Sequence, residues 1–413
     1  MADRRAYYIV YAALPDGRVE AAADLGLETD ERGRHRYSAL RYRSQWLRHP
    51  DAFSLNPVQA PLHGDSIEWR TDEIPAVIDE MMPGRWERIV LGRMWQRADQ
   101  AADPDDLHNI LGAVRAGFRV GAVEIVPDGS SPPNLDAPLE LVDLAGLAAD
   151  ADAISREQEA ELRTLKRLQA RSSVGGTRPK IIVHDAEGAY IAKFTSANDS
   201  FNYPRVEHAC LELARRAGIE VPASRVVTAG GLDALLVSRF DVTPRGGRCH
   251  LISANALLKD METQAELRPA RYDDLVDLIR RYSEHPVDDL HQLYGLMLFN
   301  EAINNIDDHL RNFSFRTDEK GFRLSPAYDL VPADVLGAYP TLTMGYKPGR
   351  PRPASADSEK AARVFQLRPK EARRITERLQ AAFFELPEVM EKAELNDADR
   401  GLIDRVFWRP DRR

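Results

Sequence analysis

Cysteine is scarce in this chain, which has only Cys210 and Cys249 among 413 residues. The two form no CxxC pattern and no evenly spaced framework, which argues against both a disulfide scaffold and a zinc cluster. This usage fits a reducing cytoplasm, where we expect the protein to reside. The sequence also lacks any run of about eighteen apolar residues, so no membrane span is expected. The short apolar run at residues 7–13 ends at a turn and is interpreted as a strand, not a signal peptide.

Basic residues are outnumbered as well. The 56 Lys and Arg residues against 65 Asp and Glu residues give a net charge of −9. Such a chain repels nucleic acid overall, so extensive direct binding of DNA is not expected. The hydrophobic share of 43% and the charged share of 29% are typical of a soluble globular protein. A chain of this length exceeds one hydrophobic core, which predicts two or three domains.

A stretch rich in Pro, Gly and Ser at residues 126–138 has the composition of a linker. Before it, short strands and helical periodicity predict a small α+β unit, and after it the chain turns first to strands and then to helices. The predicted organisation is an N-terminal subdomain at residues 1–130, a linker at 131–154, a strand-rich unit at 155–241 and a mostly helical unit at 242–413. A capping pattern and a leucine stripe predict a helix at about residues 155–170.

One stretch of polar residues has the spacing of a phosphate-transfer site. Asp307 is followed five residues later by Asn312, and Asp329 lies seventeen residues beyond Asn312, after a predicted hairpin. A protein kinase presents its catalytic base and its two magnesium ligands in this order. We therefore predict that Asp307 accepts the proton of a substrate hydroxyl and that Asn312 and Asp329 hold Mg²⁺. The alternative is an Asp- and Asn-rich helix end that is followed by a plain hairpin.

The two residues after Asp307 need separate interpretations. Asp308 could itself be the base, but the five-residue spacing to Asn312 favours Asp307, and Asp308 is expected to be a cap or a solvated charge. His309 has no cysteine or second histidine nearby, which argues against a zinc role. We expect it to brace the catalytic loop or to lie near the phosphates of the nucleotide.

A loop of small residues lies upstream and runs directly into a predicted β-hairpin. Small residues allow backbone N–H groups to approach phosphate oxygens closely, although a Gly-Gly loop alone is more often simple turn chemistry. The loop matches neither a Walker A motif nor the GxGxxG of protein kinases. It contains Ser172, Ser173, Val174, Gly175, Gly176, Thr177, Arg178, Pro179 and Lys180.

Lys193 lies near the end of the second strand of this hairpin, where a kinase keeps the lysine that pairs with the α- and β-phosphates. A solvated lysine at a strand end is the alternative. Glu207 follows on a predicted helix that ends at Gly218, next to its buried face, and is predicted to pair with Lys193. Glu212 is a competing candidate. The strand at residues 234–241 turns abruptly from apolar to polar, which suits a connection whose backbone pairs with an adenine edge.

Taken together, these motifs resemble the HipA family, the serine/threonine kinase toxins of bacterial type II toxin–antitoxin modules. The segments that carry the resemblance are residues 173–180, 193–194, 237–241, 307–313 and 326–332. The resemblance extends over nearly the whole chain, and it is loose in the N-terminal part around Tyr42, Trp46 and Leu47.

The resemblance implies an α+β, two-lobed, protein-kinase-like fold related to phosphoinositide kinases. The N-terminal subdomain at 1–130 and the core at 155–241 would form the N-lobe, and residues 242–413 an all-helical C-lobe. ATP and Mg²⁺ are the implied cofactors, with Asp307 as the catalytic base. The implied ATP site comprises Val174, Gly175, Gly176, Thr177, Arg178, Pro179, Lys180, Lys193, Ser238, Arg239, Phe240, His309, Leu310, Arg311, Asn312, Tyr328 and Asp329.

The resemblance also implies a mode of action. Family members phosphorylate a protein target, an aminoacyl-tRNA synthetase in the best-known case, and switch themselves off by autophosphorylation of a serine in the small-residue loop. Ser173 matches that serine, and Ser172 could compete with it. The usual partner is a small helix-turn-helix antitoxin, through which DNA is contacted indirectly. Ser238 departs from the acidic residue that is common in the family at the hinge.

Two other functions remain open at this point. The same Asp and Asn spacing serves small-molecule phosphotransferases of related fold, although the Ser173 loop and the N-terminal subdomain argue against that class. A catalytically silent corepressor partner is the other alternative. Such a protein would have no chemical need to keep Lys193, Asp307, Asn312 and Asp329 together.

Overall fold

The computed structural model describes residues 4–113, 119–134, 144–155, 178–195, 199–265, 268–317, 321–347 and 349–410. Most of the predicted helix at 155–170 lies outside these residues. The greater part of the predicted small-residue loop also lies outside them, namely Ser172, Ser173, Val174, Gly175, Gly176 and Thr177.

The N-terminal part is built on an antiparallel sheet of five strands in the order β4-β3-β2-β1-β5. Alternating side chains of these strands are buried, which gives one apolar face for helices to cover. The strands are β1 (Arg4–Ala13), β2 (Val19–Thr29), β3 (His35–Tyr42), β4 (Ile67–Trp69) and β5 (Val123–Pro127). Four helices belong to the same stretch of chain: α1 (Ser44–Leu47), α2 (Ala76–Asp79), α3 (Arg85–Arg97) and α4 (Leu107–Ala113).

A second antiparallel sheet follows, with the strand order β6-β7-β9-β8. Its strands are β6 (Lys180–His184), β7 (Ala189–Phe194), β8 (Ser224–Ala229) and β9 (Leu232–Ser238). One face of this sheet, with Leu235 and Val237, packs against the apolar side of helix α6 (Tyr203–Arg216). The other face of the sheet, with Ala234 and Leu236, packs against α3 and α5 (Leu144–Ser155). The segment predicted as a linker thus contains a helix that packs on this sheet through Leu144 and Leu147.

The remainder of the described chain is dominated by helices: α7 (Ala254–Leu258), α8 (Tyr272–Tyr282), α9 (Pro286–Ala302), α10 (Ala356–Val364), α11 (Pro369–Phe384), α12 (Leu386–Lys392) and α13 (Asp397–Val406). The prediction of an all-helical part after residue 241 was wrong. Three short strands form a sheet there: β10 (Leu251–Ser253), β11 (Ser314–Thr317) and β12 (Phe322–Leu324). The hairpin between Asn312 and Asp329 leaves one edge of β11 open, and β10 pairs with that edge.

Buried polar contacts join the N-terminal part to the rest of the molecule. Asn56 donates from Nδ2 to the carbonyl oxygen of Ala256 at 3.2 Å, and His250 Nε2 lies 3.0 Å from the carbonyl oxygen of Leu55. Such buried partners fix the relative placement of the two parts, because separating them would leave polar groups unpaired. No helix among the residues that the structure describes has the length and apolar character to span a membrane.

Candidate active site

Lys193 is the centre of a buried charge cluster. It lies on β7 directly across from Lys180 on β6, and its Nζ donates a hydrogen bond to Oε1 of Glu207 at 2.6 Å. The same ammonium donates to Oδ1 of Asp329, which follows β12 in the chain. The side chain of Glu207 is fully buried on α6, whereas Glu212, the competing candidate, pairs with Arg215 near the surface. The structure therefore places Glu207 against Lys193.

The pKa shifts in this cluster follow from burial and charge. Burial alone would lower the pKa of Lys193, but Asp329 and Glu207 more than offset this and raise it. Burial would raise the pKa of Asp329, yet Lys193 and then Lys180 hold it well below its usual value. For Glu207 burial prevails and raises the pKa, with Lys193 acting against it. At neutral pH Lys193 is thus charged, which suits an anionic ligand, and Asp329 is ionised, which suits a cation.

The backbone of Asp329 has an unusual conformation. Its φ is +55°, in the left-handed region that non-glycine residues seldom adopt, at a cost of roughly 1–3 kcal/mol. The preceding residues are held in place, since Ala327 donates its N–H to the carbonyl oxygen of Glu220 at 2.8 Å and the Tyr328 hydroxyl lies 2.6 Å from Ser314 Oγ. This bend turns the Asp329 carboxylate towards Lys193.

Asp307 lies on an exposed loop between α9 and a short 3₁₀ turn at Leu310–Asn312. Asn312 donates from Nδ2 to the carbonyl oxygen of Asp307 at 2.9 Å, and the Asp307 N–H donates to Oδ1 of Asn305 at 3.2 Å. The loop is therefore held through its backbone while the carboxylate of Asp307 stays accessible. An accessible carboxylate on a fixed loop is what a general base needs.

Asp308 differs from the prediction of a cap or a solvated charge, which was wrong. Its side chain is 1% exposed and accepts hydrogen bonds from Tyr272 Oη at 2.6 Å and from Arg350 Nη1 at 2.7 Å. Burial raises its pKa, with Arg350 as the main opposing influence. Arg350 also donates to the carbonyl oxygen of Asn305 at 2.8 Å. The buried pair of Asp308 and Arg350 thus holds the loop in place, while the carboxylate of Asp307 stays exposed.

The predicted hinge, residues 238–240, has most of its polar groups bonded within the protein. The N–H groups of Ser238 and Arg239 donate to the carbonyl oxygens of Ala223 and Ala189, so they are not available to an adenine edge. The guanidinium of Arg239 is buried in an ion pair with Asp241.

An aromatic pair closes the same end of the site. Phe240 stacks on Tyr328 with 5.9 Å between ring centroids and 26° between the ring planes. The pair joins the segment after β9 to the segment of Asp329. It supplies the apolar surface on which a purine ring would rest.

Cationic side chains gather on the opposite side. Arg178 lies 3.6 Å above the ring of Tyr203 and pairs with Asp199, and Lys180 adjoins Lys193 across the strand pair. His309 Nδ1 is buried and has no hydrogen-bond partner among the residues that the structure describes. These groups present positive charge and an unused ring nitrogen where phosphates would be bound. Pro179 and Leu310 are buried packing residues in the same region.

Arg311, a predicted residue of the ATP site, is bonded to the N-terminal part of the chain. Its Nη2 donates to Oδ2 of Asp79 at 2.7 Å, and its Nη1 lies 3.9 Å from Oε1 of Glu80. Glu80 in turn accepts hydrogen bonds from the N–H and Oγ of Ser253. The N-terminal part therefore contacts the catalytic loop directly. Sequence reasoning missed Asp79 and Glu80 because no local pattern marks a contact across more than two hundred residues.

The residues present fit a magnesium–nucleotide complex. The Asn312 amide nitrogen is occupied by the Asp307 carbonyl, which leaves the amide oxygen as a candidate ligand beside the ionised Asp329. Within the described ranges no cluster of three or more His, Cys, Asp or Glu forms a metal site. Mg²⁺ that is held by one amide, one carboxylate and phosphate oxygens needs no such cluster.

Comparison with known proteins relates this chain to two proteins described as kinases. A Sinorhizobium fredii protein named "Putative kinase Y4mE" is 25% identical over 358 residues, covering 79% of this chain and 77% of its own. A Haemophilus influenzae protein of the same description is 23% identical over 183 residues, covering 40% of this chain and 53% of its own.

Among solved structures, HipA of Shewanella oneidensis MR-1, determined with HipB and its operator DNA, matches with a TM-score of 0.64. The match covers 96% of this chain and 94% of that chain at 17% sequence identity, which shows a shared fold. Residues 172–385, more than half of the sequence, match the family described as HipA-like C-terminal domain. The chain is therefore a member of the HipA-like family.

Proposed function

We propose that this protein is a Mg-ATP-dependent serine/threonine protein kinase that acts as the toxin of a toxin–antitoxin module. The observation that carries the proposal is the Lys193 ammonium bound by both Glu207 and Asp329, with the accessible Asp307 on the adjoining loop. A lysine that pairs with a helix glutamate and a metal-binding aspartate is the arrangement that protein kinases use for phosphoryl transfer.

In the proposed reaction, Asp307 accepts the proton of a serine or threonine hydroxyl as its oxygen attacks the γ-phosphorus of ATP. The bond from the γ-phosphorus to the bridging oxygen breaks, and ADP leaves with the electron pair. Lys193 orients the α- and β-phosphates, and Glu207 keeps that lysine in place. Asn312 and Asp329 would hold Mg²⁺, which neutralises the charge of the phosphates when bound.

The proposal assigns the sheet β6 to β9 with α6 to the N-lobe of a kinase and the helices after β10 to its C-lobe. The ATP site would lie between them, bounded by Lys193 on one side and by Asp307 and Asn312 on the other. Helix α6 would join the two lobes, because it shares one apolar cluster with β9 and with the later helices.

The biological role is proposed from the family. We propose a helix-turn-helix antitoxin as partner, since the Shewanella structure contains HipB and operator DNA. The proposed target is a protein, with an aminoacyl-tRNA synthetase as the first candidate by resemblance. Self-inactivation would occur by autophosphorylation at Ser173 or Ser172, which lie outside the described residues. A neighbouring reading frame for a small helix-turn-helix protein would support the toxin role.

The proposal is tested by nucleotide binding and by growth. Calorimetry should detect ATP binding that requires Mg²⁺, and Asp329→Asn should remove the Mg²⁺ dependence because a neutral amide replaces the ionised ligand. Expression of the wild-type protein alone should slow growth, whereas Asp307→Ala should not. Absence of both ATP binding and growth inhibition in the wild type would contradict the proposal.

A further inference from the structure

Three large apolar side chains are exposed on one short segment close to the catalytic loop. Val335, Leu336 and Tyr339 are 58%, 60% and 78% exposed. We call residues 334–340 the apolar loop. The other large apolar side chains that are exposed in the described part of the chain are separated in sequence: Tyr7, Leu62, Ile89, Met261, Val287 and Phe384. Single exposed side chains are ordinary on protein surfaces, but a group within five residues indicates a binding surface.

Hydrogen bonds join the first end of the apolar loop to Asn304, three residues before Asp307. Asn304 donates from Nδ2 to the carbonyl oxygens of Ala333 at 2.9 Å and of Val335 at 3.0 Å. The N–H of Ala333 returns a bond to the carbonyl oxygen of Asn304 at 3.0 Å. Asn304 has a φ of +56°, a conformation that asparagine tolerates better than most residues.

The second end of the loop is joined to the residue next to Asp307. Both the N–H and the Oγ1 of Thr341 donate to the carbonyl oxygen of Ile306 at 2.9 Å. The N–H of Leu342 lies 3.3 Å from Oδ1 of Asp308, and Leu342 itself is buried. The loop is thus fixed to both sides of the catalytic aspartate, and its position relative to that residue is built into the fold.

The three side chains are exposed on a loop whose position is fixed by neighbouring contacts. Leu330 and Val331 are buried before it, and Asp334 at its first position pairs with Arg405 on α13. Anchored ends with an apolar middle leave Val335, Leu336 and Tyr339 more than half exposed. Their burial by a partner would be favourable, since each large apolar side chain gains free energy when it leaves water.

We propose that the apolar loop binds the substrate protein itself and receives an apolar side chain close to the phosphorylated serine or threonine. This inference rests on the proposed kinase function and specifies its substrate. Val335 is bonded to Asn304, three residues from Asp307, and three residues span at most about 10 Å at roughly 3.3 Å per extended residue. An extended substrate would therefore place its apolar side chain about two to four residues from the hydroxyl.

A peptide library tests the inference. Peptides with one fixed serine or threonine and degenerate flanking positions are incubated with the full-length protein and Mg-ATP, and the phosphorylated fraction is sequenced. The wild type should favour an apolar residue at one position two to four residues from the phosphorylated one, by about tenfold over a polar residue. The triple variant Val335→Ser, Leu336→Ser, Tyr339→Ser should lose that preference.

Matched controls separate the loop from general surface effects. Val287→Ser and Phe384→Ser remove equally exposed apolar side chains elsewhere and should keep the wild-type preference. Thermal unfolding and ATP affinity of the triple variant check that it is folded. If the triple variant keeps the preference, or if the wild type has none while still phosphorylating peptides, the inference is wrong and the kinase function stands.

Two further outcomes would also contradict the inference. A wild type that transfers phosphate to no peptide and to no protein overturns the kinase function and this inference together. A wild-type dimer that the triple substitution converts to a monomer, measured by light scattering, would show that a second copy of the chain covers the loop. In that case the loop is a self-association surface and not a substrate surface.

Discussion

At the scale of residues, the site depends on one lysine shared by two acidic side chains. The order and spacing of the motifs led to Lys193 and Asp329, which the structure brings into contact, and to Asp307 and Asn312, whose catalytic and metal-binding roles stay predictions. It could not predict that Asp308 would be buried, since its partner Arg350 is 42 residues away and belongs to no motif. Local patterns therefore identify the residues of the site, and tertiary contacts decide the role of each.

Replacing Glu207 tests the lysine pairing. In Glu207→Gln the side chain keeps its shape but loses its charge, so Lys193 loses one of its two acidic partners. We expect kcat/KM for ATP to fall by about 10- to 100-fold, since hydrogen bonds to charged groups contribute roughly 1.5–3 kcal/mol. Glu212→Gln, five residues along the same helix, should stay close to wild type. Equal effects of the two substitutions in a steady-state ATP assay would contradict the pairing.

The neighbouring aspartates should respond to substitution in opposite ways. Asp308→Asn removes the closer acidic partner of the buried Arg350 and leaves it only the longer contact with Glu301 at 3.4 Å. Because this breaks a buried ion pair, it should lower the free energy of unfolding by about 3–5 kcal/mol. Asp307→Asn should change stability little, because its carboxylate is exposed, but should abolish phosphoryl transfer. Urea unfolding curves and a transfer assay on both variants make the comparison. A stable Asp308→Asn protein would contradict the anchoring role.

His250 predicts a dependence of stability on pH. Burial lowers its pKa from the ordinary value of 6.5 to about 4. Below about pH 6.5 the unfolded chain therefore takes up a proton at His250 that the folded protein does not take up. The folded protein thus has its full free energy of unfolding above that pH. The free energy of unfolding decreases as the pH falls towards 4, by up to roughly 3 kcal/mol. Urea unfolding gives the free energy of unfolding at pH 7.5 and at pH 4.5, and the difference between the two values should be smaller for His250→Gln than for wild type. An equal difference in the two proteins would contradict the prediction.

At the scale of elements, periodicity and turn signals predicted most of what lies around the site. The predicted helix that carries Glu207 was found as α6, and the predicted hairpin that carries Lys193 was found as β6 and β7. The helix α5 and the strand β10 were not predicted. Strand β10 forms because it pairs with the open edge of β11, and α5 packs on a face of the second sheet. Local sequence patterns do not predict such contacts between distant elements.

The contact of α2 with the catalytic loop is an element-scale prediction. Asp79 at the end of α2 binds Arg311, which precedes Asn312. In a double-mutant cycle with Asp79→Ala and Arg311→Ala, we expect a coupling of about 0.5–1 kcal/mol in kcat/KM, since the pair is partly exposed. Asp72→Ala, which removes a surface carboxylate paired with Arg36, serves as control. Additive effects of the Asp79 and Arg311 substitutions would show that the contact does not support the loop.

At the scale of the whole molecule, the charge cluster joins the second sheet to the mostly helical part, because Lys193 on β7 is bonded to Asp329 beyond β12. The sequence predicted the pairing of Lys193 with Glu207, whereas the direct contact of Lys193 with Asp329, 136 residues away, is found only in the structure. The position of the N-terminal part against the catalytic loop could not be deduced, because it depends on buried pairs such as Asn56 with Ala256. The shared fold with Shewanella HipA over nearly the full chain accords with this arrangement.

The central claim is that this arrangement transfers phosphate from ATP. The most direct measurement is the intact mass of the purified protein after incubation with Mg-ATP, compared with Asp307→Ala treated in the same way. The account predicts a gain of one phosphate, about 80 Da, in the wild type, mapped to Ser173 or Ser172, and no gain in the variant. A wild type that gains no mass and phosphorylates no added protein, or a variant that gains the same mass, would contradict it.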